Sequence, residues 1–213
     1  MRAVIIANGQ EPDAEPGRSE VRPGDWIVAA DGGAVRALAW GLEPDLVIGD
    51  MDSLPPAVRA RLEAQGCRFL RHPRRKDETD LELALRHVVE QGAREVVILG
   101  AWGGRLDHAL ANVLLLSLPI LAGVRVRFVT GAEEAALVRG GETLRLAGRP
   151  GDLVSLLPLG GDAQGVTTEG LAWALRDERL RFGFSRGVSN EMTAPTAHVT
   201  VGAGFLLVVH QRG

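Results

Sequence analysis

Leu46-Val47-Ile48-Gly49-Asp50-Met51-Asp52-Ser53 runs a short apolar strand into a glycine, two aspartates and a serine. The same grammar recurs on both sides. Upstream, Val4 to Ala7 predicts a first strand ending at Asn8-Gly9. Trp26 to Ala30 predicts a second, followed by Asp31-Gly32-Gly33 and a helix from Ala34 to Trp40 that Gly41 stops. Downstream, Pro55 to Gln65 predicts a helix ended by Gly66, and Arg68 to Leu70 a brief strand. After the polar turn His72-Pro73-Arg74-Arg75-Lys76-Asp77, the Thr-x-x-Glu spacing of Thr79 and Glu82 is that of a capping box. It predicts a helix from there to about Gln91, with Gly92 beyond. Glu95 to Leu99, a helix from about Asp107 to Ser117, and Val124 to Val129 complete the series. Strands alternating with helices imply parallel βαβ units. Residues 10–24 are polar and rich in Pro, Gly and Glu, which predicts a loop.

Beyond Gly131 the texture changes. Turn residues recur every few positions between short β-like runs such as Leu153 to Leu157, His198 to Val201 and Phe205 to Val209. The expected organisation is an α/β domain with a mainly parallel sheet over 1–131 and a small all-β, sandwich-like domain over 132–213.

The 213 residues suffice for such a pair, and a hydrophobic share of 46% with 24% charged residues is that of a globular chain. A net charge of −3 argues against electrostatic nucleic-acid binding by the whole molecule. No apolar run approaches the ~20 residues of a membrane helix; the longest, Ala109 to Leu121, is interrupted by Asn112, Ser117 and Pro119. The N-terminal apolar run is also shorter than a secretory core. Cys67 is the sole cysteine, so no internal disulfide forms, which fits a reducing cytoplasm. Its strand-like context predicts a buried, inert thiol. Lys76 is the sole lysine among 24 basic residues. A lysine presents a compact point charge where arginine presents a planar fork.

Ligands of an open parallel sheet bind outside the carboxyl ends of its strands. Asp31, Asp50, Asp52 and Asp107 each follow a predicted strand, and Asp80 starts a helix in the same layer. Aspartate favours turns and N-caps anyway, which accounts for any one of them. It accounts poorly for the set, because each acid sits beside small residues that let a ligand approach the backbone. Asp50 and Asp52 both reach one hard cation if the chain turns between them, and magnesium takes a few carboxylates together with substrate phosphates. Gly100-Ala101-Trp102-Gly103-Gly104-Arg105 offers backbone N–H groups and a guanidinium to an anion, but matches neither the P-loop nor the dinucleotide-binding pattern.

In their order and context, Asp31-Gly32-Gly33, Gly49-Asp50-Met51-Asp52-Ser53, Lys76-Asp77-Glu78-Thr79-Asp80 and Gly103-Gly104-Arg105-Leu106-Asp107-His108 resemble the motifs of thiamine pyrophosphokinases. Gly170-Leu171-Ala172-Trp173-Ala174-Leu175 and Gly187-Val188-Ser189-Asn190-Glu191 are similar to that family's thiamine-pocket segments. The resemblance implies transfer of a diphosphate from ATP to the hydroxyl of thiamine, giving thiamine diphosphate and AMP. It further implies a β-sandwich as the second domain and a homodimer with active sites between subunits. Carried over motif by motif, Asp50, Asp52 and Asp80 hold Mg2+ against the ATP phosphates. Asp31, Gly32, Lys76, Thr79 and Arg105 shape the nucleotide and phosphate site. Asp107 faces the substrate, and Trp173, Ser189 and Asn190 line a thiamine pocket supplied by the partner chain. Position 173 carries Trp where bacterial members often carry Tyr; either ring stacks on a flat cation. His108 reads as a structural helix-start histidine, and no residue stands out as a general base. Two other readings stay open on the residues alone: a pyrophosphokinase acting on a hydroxymethyl-pterin, and a non-catalytic nucleotide sensor.

Overall fold

The computed structural model describes residues 1–9, 18–131 and 133–213; most of the loop expected over 10–24 lies outside the described residues. The chain divides into two compact units, Met1–Gly131 and Ala132–Gly213.

In the first unit, β1 (Arg2–Ile6), β2 (Trp26–Ala30), β3 (Leu46–Gly49), β4 (Arg68–Arg71), β5 (Glu95–Leu99) and β6 (Arg125–Thr130) lie in the order β6-β5-β1-β2-β3-β4. Every neighbouring pair is parallel. Helices α1 (Gly33–Ala39), α2 (Pro56–Ala64), α3 (Asp80–Glu90) and α4 (Leu106–Leu115) form the crossovers. Val4, Ile6, Ala29, Val47, Val97 and Leu99 face one side, where Ala34 and Ala37 of α1 and Leu62 of α2 pack among them. The alternate residues Ile5, Val28, Ile48 and Ile98 are also buried. Helix α3 lies against β1, β2 and β3, and its Leu81, Ala84, Leu85 and Val88 are buried. A sheet covered on both faces explains why the central strands read as continuous apolar runs rather than alternating ones.

The Thr79 hydroxyl caps α3, accepting from the Glu82 N–H at 3.2 Å. The capping box is only half formed, because the Glu82 carboxylate turns along the helix to Arg86 Nε at 2.9 Å, an i,i+4 pair that competes for it. Cys67 is buried, and burial raises its thiol pKa to about 11, the inert state expected of it.

The second unit is antiparallel throughout. One sheet runs β12 (Asn190–Glu191), β9 (Leu153–Pro158), β14 (Phe205–Gln211), β7 (Glu133–Arg139). The other runs β11 (Glu178–Leu180), β10 (Ala163–Glu169), β13 (Thr196–Thr200), β8 (Thr143–Ala147). Val138, Val154, Leu156, Leu206 and Val208 from the first pack with Leu146, Val166, Leu180, Ala197 and Val199 from the second, the core of a sandwich.

His210 of β14 is fully buried in this unit. Its Nε2 lies 3.2 Å from Asp152 Oδ2 and its Nδ1 3.4 Å from Glu134 Oε1. Arg212 pairs with the other Glu134 oxygen at 2.8 Å, and the Arg149 and Gly213 N–H groups donate to Asp152. The bond to Glu134, aided by Asp152, raises the His210 pKa above its ordinary 6.5. The charged imidazolium therefore stabilises the folded state fully below the unfolded histidine value, and that contribution fades as pH rises through the raised folded value. Urea unfolding of the native chain and of His210→Gln should differ more at about pH 5.5 than at about pH 9.

Candidate active site

The chain adds β2, β3 and β4 on one side of β1, then returns to place β5 and β6 on the other. The loops after β1 and β5 therefore leave in opposite directions, and the crevice between them is where open α/β sheets bind ligands. Their backbones touch: Ala7 N–H donates to Leu99 O at 2.8 Å and Gly9 N–H to Gly100 O at 2.6 Å. A Cβ at Gly9 would stand 2.1 Å from Trp102 O, so only glycine permits this approach. A cleft of about 670 Å³ opens here, lined by both loops and by Asp31, Asp50, Asp52, Lys76 and Asp80.

The acids are held by backbone. Asp31, buried just beyond β2 at φ 43°, donates its N–H to Ile48 O at 2.8 Å, and its Oδ1 accepts from Met51 N–H at 3.1 Å. Met51 itself stands at φ 68°, an uncommon conformation for a non-glycine residue, and so turns the chain between Asp50 and Asp52. Asp50 Oδ1 then accepts from Asp52 N–H at 3.0 Å. This bond is the main cause of a lowered Asp50 pKa, with Lys76 and Arg74 acting in the same direction. One carboxylate oxygen from each of Asp31, Asp50 and Asp52 lies within 4.8 Å of the others, a separation one oxygen-seeking cation can bridge.

Asp80, at the start of α3, joins this wall from the far side of Gly49, whose added Cβ would press on Asp31 Cβ at 2.8 Å and Asp80 Cγ at 3.2 Å. Its Oδ1 is buried and accepts no well-angled hydrogen bond, although Lys76 Nζ stands 2.9 Å away. Burial raises the Asp80 pKa, the charges of Asp31 and Asp50 push the same way, and Lys76 opposes them. An under-coordinated buried carboxylate oxygen beside three convergent carboxylates fits a divalent cation and its phosphate ligands. The expected metal set was Asp50, Asp52 and Asp80. The geometry groups Asp31 with Asp50 and Asp52, and engages Asp80 with Lys76.

Thr79 lines the cleft while its hydroxyl caps α3. Gly32 lines it too, where a Cβ would strike the Asn8 side chain. Arg105 and Asp107 stand exposed at the cleft end of α4 and bond each other through two contacts, one of 3.1 Å from Arg105 Nε. That fork lowers the Asp107 pKa. His108 donates its backbone N–H to Asp107, a structural use. Arg74 was not expected in the site. Its Nε lies 3.2 Å from Asp52 Oδ2, and the only signal for it was its place two residues before Lys76.

In the second unit, Trp173 is 61% exposed. Asn190 is buried and clamps the Trp173 backbone, accepting from its N–H at 3.0 Å and donating to its carbonyl at 2.8 Å. Its amide is thus engaged in positioning Trp173. Ser189, at φ 60°, donates its N–H to Ser155 Oγ at 3.1 Å.

Residues 19–127 match the family model described as thiamin pyrophosphokinase, catalytic domain, and residues 143–206 match the family's vitamin B1 binding domain. This chain belongs to the thiamine pyrophosphokinase family. A Bacillus subtilis thiamine pyrophosphokinase is 27% identical over 184 residues, 86% of each chain. The crystal structure of a thiamine pyrophosphokinase from Geobacillus thermodenitrificans covers 100% of this chain with 98% of its own, at 26% identity and a TM-score of 0.84. The B. subtilis crystal structure superposes with a TM-score of 0.88 at 24% identity, covering 100% of this chain with 99% of its own, and so shares the fold.

The contacts above separate two kinds of residue by experiment. Asp31→Asn and Asp50→Asn should each weaken Mn2+ binding by on the order of ten-fold or more, since losing a ligand costs at least what losing an outer-shell partner does. Asp80→Asn should cost less, as titration of free Mn2+ would report. Asn190→Ala should lower unfolding stability by about 1 kcal/mol or more, because it removes two part-buried hydrogen bonds to the Trp173 backbone, while Trp173→Ala should leave stability nearly unchanged.

Proposed function

We propose that this chain is a working thiamine pyrophosphokinase that uses magnesium. The observation that carries the reading is the convergence of Asp31, Asp50, Asp52, Asp80 and Lys76 at the switch point of a parallel sheet, in a chain matched by both the catalytic and the vitamin-binding models of the family. The hydroxyl oxygen of thiamine attacks the β-phosphorus of ATP. The bond from that phosphorus to the oxygen bridging it to the α-phosphorus breaks, AMP leaves with the electron pair, and the hydroxyl gives up its proton. Such a transfer needs little covalent help from protein; position and charge supply most of the rate.

The geometry supports the following roles. Asp50 and Asp52, with Asp31 beside them, hold the magnesium ion, and Asp80 with Lys76 completes the polar wall that faces the phosphates. When bound, magnesium neutralises charge on phosphate oxygens. Lys76 offers a point charge to the diphosphate, anchored by Asp80 so that it waits in place. Arg105 offers its fork once released from Asp107. Trp173 presents its face to the cationic ring of thiamine, Asn190 holds the Trp173 backbone in place, and Ser189 lines the same pocket.

A homodimer with the active site between subunits is supported by α4. Leu106, Leu110 and Leu114 recur every four residues and are 73%, 57% and 56% exposed, and the helix buries none of its residues. An apolar stripe of that kind marks a contact surface. None of the described helices is long and apolar enough to cross a membrane. A single cysteine forms no internal disulfide, which fits a cytoplasmic setting.

Mixing the protein with ATP, thiamine and Mg2+ should yield AMP and thiamine diphosphate in equal amounts, and chelation should stop it. ADP in place of AMP, or no thiamine-dependent product, would overturn the assignment. Trp173→Ala should raise the KM for thiamine by about ten-fold or more, the worth of a desolvated cation–π contact, and leave the KM for ATP near its original value.

A further inference from the structure

The segment between β4 and α3 delivers two cations to the acid cluster, and they are placed differently. Lys76 reaches inward; its side chain is 12% exposed and pairs with Asp80. Arg74 stays outside at 82% exposure and lays its Nε 3.2 Å from Oδ2 of Asp52, itself 45% exposed. Among the described residues, Asp31 and Asp50 pair with no cation and accept from backbone N–H groups. Two of the four carboxylates thus carry a cationic partner and two do not, which leaves the charge of one divalent ion. An ion pair as exposed as Arg74–Asp52 is weak and easily exchanged. Arg74 also lines the cleft together with both acids of the Asp50-Met51-Asp52 turn.

We propose that Arg74 is an exchangeable counter-cation: it neutralises Asp52 in the free enzyme and transfers its guanidinium to the nucleotide phosphates when the metal takes Asp52. This rests on the diphosphate-transfer reading above. The guanidinium suits both partners, because its planar fork matches carboxylate and phosphate oxygens alike. The exposed, long side chain gives it the reach to change partners without moving the backbone. Lys76, held inside by Asp80, has no such freedom.

The exchange predicts opposite effects of one substitution on two affinities. Without nucleotide, Arg74→Ala should bind Mn2+ several-fold more tightly than the native chain, since the competing cation is gone. With Mg2+, it should bind a non-hydrolysable ATP analogue about ten-fold more weakly, the loss of one charge-assisted contact. Arg74→Lys, which keeps the charge and lacks the fork, should match the native chain for Mn2+ and fall between the two for the analogue. Equal thermal midpoints for all three proteins establish that the fold is unaffected, as expected of so exposed a residue. Two unchanged affinities, or two that weaken together, would overturn the role of Arg74 alone. A native chain that binds neither Mn2+ nor the analogue would overturn the diphosphate-transfer reading and this role with it.

Discussion

Four carboxylates crowd one end of a buried sheet, and like charges so placed repel one another unless something holds them. The restraint here is mostly main chain. The Met51 N–H fixes Asp31, the Asp52 N–H fixes Asp50, and Gly49 leaves no room between Asp31 and Asp80 for even a methyl group. Hydrogen bonds from backbone to carboxylate stabilise the ionised form and cost no side-chain freedom at the moment of binding. Half of the charge is met from one segment, through Lys76 and Arg74. The Asp80 carboxyl keeps a raised pKa despite the lysine, chiefly because it is buried and to a lesser degree because it faces Asp31 and Asp50.

The rest of the first unit serves that arrangement. Strands buried on both faces make a stiff floor whose carboxyl ends cannot shift by fractions of an ångström without disturbing packed Ile, Val and Leu side chains. The switch between β1 and β5 opens the crevice, and Gly9 keeps it narrow by letting two backbones touch. The uncommon backbone conformations at Asp31 and Met51 fall within this region. Backbone strain of that kind persists only where surrounding structure over-determines it, and it gathers at functional sites.

The second unit solves a different problem with similar means. A large aromatic face stands in solvent here without collapsing onto the sandwich. Asn190 achieves this by bonding both backbone groups of Trp173 and leaving the indole free. Asn190, expected beside Trp173 in the pocket, holds that neighbour's backbone in place.

Most of the fold was legible in the chain. Strand runs such as Leu46 to Ile48 and Glu95 to Leu99, glycine stops such as Gly41, Gly66 and Gly92, and the Thr79 cap are local signals, fixed by hydrogen bonding and sterics within a few residues. They determined the elements, and the acids two residues apart announced the site. What the chain could not settle was which oxygens converge. Whether Asp31 or Asp80 joins Asp50 and Asp52 depends on where β2 and α3 come to lie across Gly49, and Asp80 turns to Lys76 because both meet there. Glu82 turning to Arg86 rather than to its cap, Arg74 reaching Asp52, and Asn190 holding Trp173 are likewise choices among competing partners. Sequence determines which groups are available to bond. Only the packed tertiary structure, by setting distances to a few tenths of an ångström, decides which of those bonds form.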